Sequence, residues 1–420
     1  MKKAALALAA LLLTGCGSSI PRAPVETVTT TTTAVTTAPQ TTTTAPAATT
    51  IATTTTKKKE KKPEIKYTYA DTVEIYQKLT IGDWIKDATV KPDNADDPLP
   101  TDTLGKNEVT VKFGDVKQKL SYTVADTTPP QFIYCPDYIT VHKGSGFEPG
   151  VYIGYGDNYD KAPQVSYSGS IDTLTSGDYD VTFTVTDSSG NSTTKGATIN
   201  VVDVLPDYES TIPEMSFEEF KQKYSSEGSD VGLDVSYWQG DIDFKKVKNA
   251  GCSFVFVRAA HHSDTIYPDE NFLTNVDNAT AAGLDVGVYF YSTCSSPEQA
   301  REQAQYVIDK LAGRQLALPI AFDWESFDRF QRFGMSIHDL NECCRAFCEV
   351  IEQNGYKAML YSSKSFLENF WEPDDSREVW LANYTEQTDY KGSYTYWQQG
   401  LTHIDGIGGD VDADVRYLKG

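Results

Sequence analysis

Hydrophobic and polar positions change rhythm along the 420-residue chain. An unbroken apolar run occupies residues 4–13, residues 18–52 carry almost no aromatic or charged side chain, and residues 67–203 alternate in short strand-like runs separated by turn residues. From residue 232 the period changes again, and short apolar segments alternate with helical stretches. Period two places successive side chains on opposite faces of a strand, whereas spacings of three and four mark one face of a helix. The pattern predicts strands over 232–237, 253–259, 285–291, 319–324, 357–361, 378–383 and 394–398, a last extended segment near 410–415, and helices over 297–311 and 337–353. Such alternation of strand and helix points to a parallel sheet, open or closed into a barrel. In a barrel, functional side chains gather at the C-terminal ends of the strands.

The strand-rich middle of the chain contains an internal repeat. Thr101-Asp102-Thr103-Leu104, followed by Val109-Thr110-Val111, matches Ile171-Asp172-Thr173-Leu174, followed by Val181-Thr182-Phe183. Each copy closes on a strand ending in Asp, at Asp126 and at Asp203. Two small all-β units follow from this, over 66–127 and 128–204. The second copy, with Gly177-Asp178-Tyr179-Asp180-Val181 and Thr186-Asp187-Ser188-Ser189-Gly190-Asn191, resembles the immunoglobulin-like sandwich modules of bacterial surface proteins, which implies a spacer.

Lys2 and Lys3 precede the apolar run, which reads as a signal peptide over 1–15, too short to span a bilayer. Its end, Leu13-Thr14-Gly15-Cys16, resembles a bacterial lipobox and implies cleavage before Cys16 and lipidation of its thiol. The expected location is therefore extracellular, on the cell surface, held to the membrane by the lipid at Cys16. The Thr- and Pro-rich stretch over 16–65 cannot build a core and reads as a disordered tether with a reach on the order of 100 Å. The net charge of −22 without a basic stripe leaves no footprint for nucleic acid.

Candidate chemistry lies in residues 231–420. Asp323 and Glu325 stand two apart at the end of an apolar strand and so share a face, where like charges raise one pKa and leave a protonated acid beside an ionised one. Glycoside cleavage needs that division of labour. Asp234 lies in the first strand of this region and Asp412 in the last. Four acids at strand ends are a stronger signal than any one of them.

With these acids in place, the region resembles the family 25 glycoside hydrolases, lysozymes of the muramidase type. The resemblance runs through Gly232-Leu233-Asp234-Val235-Ser236, Phe254-Val255-Phe256-Val257-Arg258, Gly287-Val288-Tyr289-Phe290-Tyr291, Ala321-Phe322-Asp323-Trp324-Glu325, Trp380-Leu381-Ala382-Asn383-Tyr384, Trp397-Gln398 and Gly409-Asp410-Val411-Asp412. It implies an irregular β/α barrel, peptidoglycan as partner and substrate, and cleavage of the β-1,4 bond between N-acetylmuramic acid and N-acetylglucosamine. Glu325 would be the general acid, with Asp323, Asp234 and Asp412 the accompanying catalytic carboxylates. One segment departs from the family, where Ala259-Ala260-His261-His262-Ser263 replaces a Thr-Glu-Gly type sequence. Aromatic residues suited to stacking on sugar rings include Trp324 and Trp380, with Tyr289, Tyr291, Tyr384 and Trp397 taken as the substrate-binding set.

A metal hydrolase would need histidines at ligand spacing, and His261, His262, His338 and His403 offer only one adjacent pair, whose rings point to opposite strand faces. No cofactor and no metal are expected. The other reading is a non-catalytic surface lipoprotein that binds cell-wall glycan, against which the retained acids argue. Of the seven cysteines, Cys16 is assigned to lipid, and a bridge through Cys252 or Cys294 is left open.

Overall fold

The computed structural model describes residues 65–207, 212–372 and 374–418. These fall into two compact units, with the division between Thr128 and Pro129. Cys16 and the Thr- and Pro-rich stretch lie outside the described residues.

In the smaller unit, strands Gly105–Phe113 and Val116–Ala125 form an antiparallel hairpin, and Thr72–Glu74 adds in parallel to its second strand. Val73, Val111, Phe113, Leu120, Tyr122 and Val124 alternate with polar residues and bury one face, against Trp84. The repeat seen in the sequence is a repeat of pairing. In the second copy, Gly177–Thr186 and Ser192–Val202 form the hairpin, and Tyr138–His142 again adds in parallel to the second strand. A fourth strand, Gln164–Ser168, completes this sheet.

The rest of the larger unit is a barrel-like sheet with helices outside it. Its strands are β1 (Ser229–Val235), β2 (Phe254–His262), β3 (Asp285–Ser292), β4 (Ile320–Trp324), β5 (Ala358–Ser363), β6 (Glu378–Ala382), β7 (Tyr396–His403) and β8 (Val411–Tyr417). Strands β1 to β7 pair in parallel in chain order. β8 runs antiparallel to both β7 and β1 and closes the circle. Among the helices packed outside are α1 (Phe217–Tyr224), α2 (Pro297–Leu311) and α3 (Ile337–Gln353).

Two buried layers follow from the period-two alternation. Val231, Leu233, Val255, Val257, Phe290, Phe322 and Val415 point outward into the core shared with the helices. Phe254, Phe256, Tyr289, Ala321, Met359, Tyr361, Trp380 and Tyr396 fill the interior. Gly232 pairs with Phe254 and Gly287 with Phe256, and at both positions an added Cβ would collide with the phenyl ring. The rings occupy the interior because their neighbours on the next strand have no side chain. Cys135, Cys252, Cys294, Cys343, Cys344 and Cys348 are all free thiols, so the bridge left open through Cys252 or Cys294 is not formed.

The immunoglobulin-like domain packs against the barrel. Gln331, in the helical turns Phe327–Phe333 that follow β4, donates to the Gly150 and Ile153 carbonyls at 3.0 and 3.1 Å. Next to it, the Ile337 amide donates to the Asp157 carbonyl at 2.7 Å, and Lys161 pairs with Asp339 at 3.0 Å.

Candidate active site

The inward face of β4 carries Ala321 and Asp323 and continues to Glu325, while Ile320, Phe322 and Trp324 face the outer core. The same alternation turns Asp234 inward between Leu233 and Val235, and Asp412 inward between Val411 and Ala413. Asp234 and Asp412 sit directly opposite each other across the antiparallel β1–β8 pairing. Together with Asp323, Glu325, Tyr289, Tyr361, Trp380, Tyr384 and Gln398 they line a small pocket at the C-terminal ends of the parallel strands.

The hydrogen bonds fix several of these groups. Gln398 Nε2 donates to Asp234 Oδ2 at 2.7 Å, and its Oε1 accepts from the hydroxyls of Tyr361 and Tyr384, each at 2.8 Å. The two tyrosine donors fix the orientation of the amide, because an oxygen must face them and the NH₂ must then face the carboxylate. Tyr289 also donates to Asp234, at 3.4 Å. Deeper in the barrel, Trp380 Nε1 donates to Asp414 Oδ1 at 2.7 Å. Arg258, near this acidic interior, is 2% exposed and pairs with Asp269 at 3.1 Å.

So many carboxyls in so little water cannot all ionise. Burial pushes Asp234 up to about 6, against the pull of the Gln398 amide, the Tyr289 hydroxyl and Arg258. Burial likewise pushes Glu325 up to about 7, opposed by its hydrogen bond with Asp323 and reinforced by the charge on Asp234. Asp323 rises well above the usual carboxylate range, through burial first and then through the charge of Glu325 and the hydrogen bond between them. Asp412 and Asp414 rise well above it too, again chiefly through burial. The sequence pattern suggested like-charge repulsion as the main cause. In the folded protein desolvation is larger, because the acids lie inside the barrel.

Asp323 Oδ1 and Asp412 Oδ1 are buried and have no hydrogen-bond partner among the described residues. A buried acceptor without a partner costs roughly 1–3 kcal/mol, a cost that a hydroxyl or amide entering the pocket would relieve. Chemically, the site offers a proton on one member of a hydrogen-bonded acid pair, further carboxylates to face a developing positive charge, and aromatic walls.

Of the residues singled out from the sequence, Glu325, Asp323, Asp234, Asp412, Tyr289 and Tyr384 come together around this pocket. Tyr291 is half-buried and pairs in register with Asp323, and its pKa is raised by burial first and then by the charges of Glu325 and Asp323. Trp397 lies elsewhere. It points outward into the core, where its ring meets Tyr224 of α1 edge-on at 5.5 Å and its Nε1 donates to the Asn383 carbonyl. Its neighbour Gln398 takes the inward position, as strand alternation requires. Trp324 also faces outward, with its Nε1 donating to the Cys294 carbonyl at 3.1 Å.

Residues not anticipated are Tyr361, Gln398 and Asp414 in the barrel, and the Arg258–Asp269 pair beside it. Asp414 was within reach of the sequence, since it lies two residues after Asp412 and so shares its face. The divergent Ala259–Ser263 segment extends β2 into a hairpin with Ile266–Pro268, on which His261 stacks against Tyr267 at 5.1 Å.

Residues 233–402 match the profile of the Glycosyl hydrolases family 25, and residues 134–201 match that of the bacterial surface protein Ig-like domain. The barrel is thus assigned to the first family and the domain before it to the second. Over 186 residues the chain is 26% identical to an autolytic lysozyme of Clostridium acetobutylicum, covering 44% of this chain and 54% of that protein. Over 200 residues it is 28% identical to lysozyme M1 of Streptomyces globisporus, covering 43% and 65%. The chain therefore spans between half and two thirds of the length of these curated relatives. A solved family 25 glycosyl hydrolase from Bacillus anthracis aligns with a TM-score of 0.41 at 21% identity, over 51% of this chain and 96% of that one.

Proposed function

We propose that the barrel is a muramidase that cleaves the β-1,4 bond between N-acetylmuramic acid and N-acetylglucosamine in peptidoglycan. The reading rests above all on the neighbouring acids Asp323 and Glu325, whose pKa values burial raises, in a domain of glycosyl hydrolase family 25. The names of the two curated lysozymes point the same way.

In this reading Glu325, the more exposed of the two, meets the glycosidic oxygen, and Asp323 lies beneath it. Glu325 donates its proton to that oxygen. The C1–O bond breaks with its electron pair going to the protonated leaving oxygen. In its ionised form Asp323 stabilises the positive charge developing on the sugar, and water then bonds to C1 and gives up a proton to the Glu325 carboxylate. Asp234, held by Gln398 and Tyr289, and Asp412 opposite it act on the same charge or on the substrate's acetamido and hydroxyl groups. Tyr289, Tyr291 and Tyr384 supply ring faces and hydroxyls to the sugar. The lipid at Cys16 holds the protein on the outer surface of the membrane, and the following tether lets the barrel reach the wall.

Incubation of the full chain with purified peptidoglycan, followed by identification of the new reducing sugar, tests the activity. Muramic acid at the reducing end is expected. Glucosamine there would make the protein a glucosaminidase, and binding without any new reducing end would make it a glycan-binding protein.

A further inference from the structure

The site is braced from outside the barrel. Trp324 separates Asp323 from Glu325 in sequence, and its indole is packed by three rings of the following helical turns: Phe327 at 4.8 Å, Phe333 at 5.1 Å and Phe330 at 5.8 Å. The Phe327 amide closes back on the Glu325 carbonyl at 2.7 Å. The position of Glu325 therefore depends on where these turns sit.

The immunoglobulin-like domain helps decide where they sit. Its strands Gln131–Tyr134 and Gly154–Gly156 pair antiparallel and lie against the turns. A Cβ at Gly154 would overlap the Phe327 carbonyl oxygen and lie 2.9 Å from the Asp328 carbonyl carbon. One at Gly156 would lie 2.7 Å from the Phe330 ring. Neither glycine has the left-handed backbone that favours this residue, so close approach of the two surfaces is what the missing side chains permit. Gln331 locks the contact with both ends of its amide, donating to the Gly150 and Ile153 carbonyls and accepting from the Tyr155 amide at 3.3 Å. The Ile337–Asp157 backbone bond and the Lys161–Asp339 ion pair hold the next turn, where α3 begins with a Ser336–Asp339 capping box.

We infer that the immunoglobulin-like domain is a positioning element of the catalytic site, acting through Gly154, Gly156 and Gln331 on the turns behind Trp324, and so on Asp323 and Glu325. The inference rests on the muramidase reading. It adds to the spacer role that such modules suggest from sequence. A displacement of a catalytic group by about 1 Å can cost on the order of 100-fold in rate, so a brace at this place bears on turnover more than on sugar binding.

Gly156→Val and Gln331→Ala, each in the full chain, test it, with Leu174→Ser on the exposed surface of the same domain as control. Melting temperature and amide exchange in residues 177–202 report whether each variant folds. Gln331→Ala removes only hydrogen bonds and keeps the test available if Gly156→Val does not fold. The brace predicts faster amide exchange over residues 320–337 in both variants. It also predicts that kcat on soluble glycan–peptide oligomers falls by about 10- to 100-fold with KM within about twofold, and that the pH limb belonging to Glu325 moves down as water reaches the pair. Faster exchange with unchanged kcat and pH profile would overturn the inference, as would unchanged exchange in both folded variants. If the unmodified chain cleaves no peptidoglycan, the muramidase reading fails separately. The brace is then judged on exchange over residues 320–325 alone, loss of protection supporting it and retention overturning it.

Discussion

Gln398 donates to Asp234 at 2.7 Å across 164 residues of chain, joining strands that meet only because β8 closes the barrel between them. The bond supplies a polar partner to a carboxylate that burial alone would drive further from its ionised form.

Gln398→Leu removes that partner. A hydrogen bond to a charged group is worth roughly 1.5–3 kcal/mol, or about one to two pKa units. Asp234 should therefore titrate above its present value of about 6. If ionised Asp234 serves catalysis, the acid limb of the kcat/KM profile on soluble wall fragments moves up by about one unit or more. An unmoved limb assigns that titration to another group.

Glu325→Gln should cut the rate on peptidoglycan by about 10² to 10⁴ with substrate binding retained, because it removes a positioned proton donor. Asp323→Asn should also reduce the rate severely, by removing the anion that faces the sugar cation. The two separate on an aryl glycoside whose leaving group needs no proton. Much of the Glu325→Gln loss is recovered there and little of the Asp323→Asn loss. Recovery by Asp323→Asn instead reverses the two roles.

The same substitution should stabilise the fold at neutral and alkaline pH. Glu325 has a raised pKa, about 7 in the folded protein against 4.5 unfolded, so the folded state binds more protons between those values. Its contribution is most favourable below about pH 4.5 and is lost as pH rises through 7. The loss is at most about 3 kcal/mol, less the screening by solvent at a half-buried side chain. Thermal melts should show Glu325→Gln matching the unmodified protein near pH 4.5 and exceeding it above pH 7. A constant difference across that range would show that Glu325 titrates normally.

Cys16→Ala should abolish lipid labelling and leave either uncleaved precursor or released protein. Membrane fractionation with metabolic fatty-acid labelling measures this, and labelling that survives the change would refute anchoring at Cys16.

Local chemistry made much of the catalytic domain readable in its sequence. Period-two alternation placed β3, β4 and β6 within a residue or two of their observed ends, and it put Asp323 and Glu325 on one face of one strand. The repeat likewise showed through in the paired hairpins, because strand pairing follows the same turn and alternation signals twice. What the tertiary structure decided were relations between distant segments. An aromatic residue in an amphipathic strand has a face but no address: Trp397 turned out toward α1 and Gln398 in toward Asp234, a choice set by register in a closed sheet. The size of the desolvation acting on the acids depends on how the barrel closes around them, which no strand carries by itself. Nothing in the sequence singles out Gly154 and Gly156, and only docking against Phe327 and Phe330 shows why neither position has a side chain. Short-range pattern is written residue by residue along the chain, whereas burial, pKa and domain contact are properties of surfaces that exist only once the chain has folded.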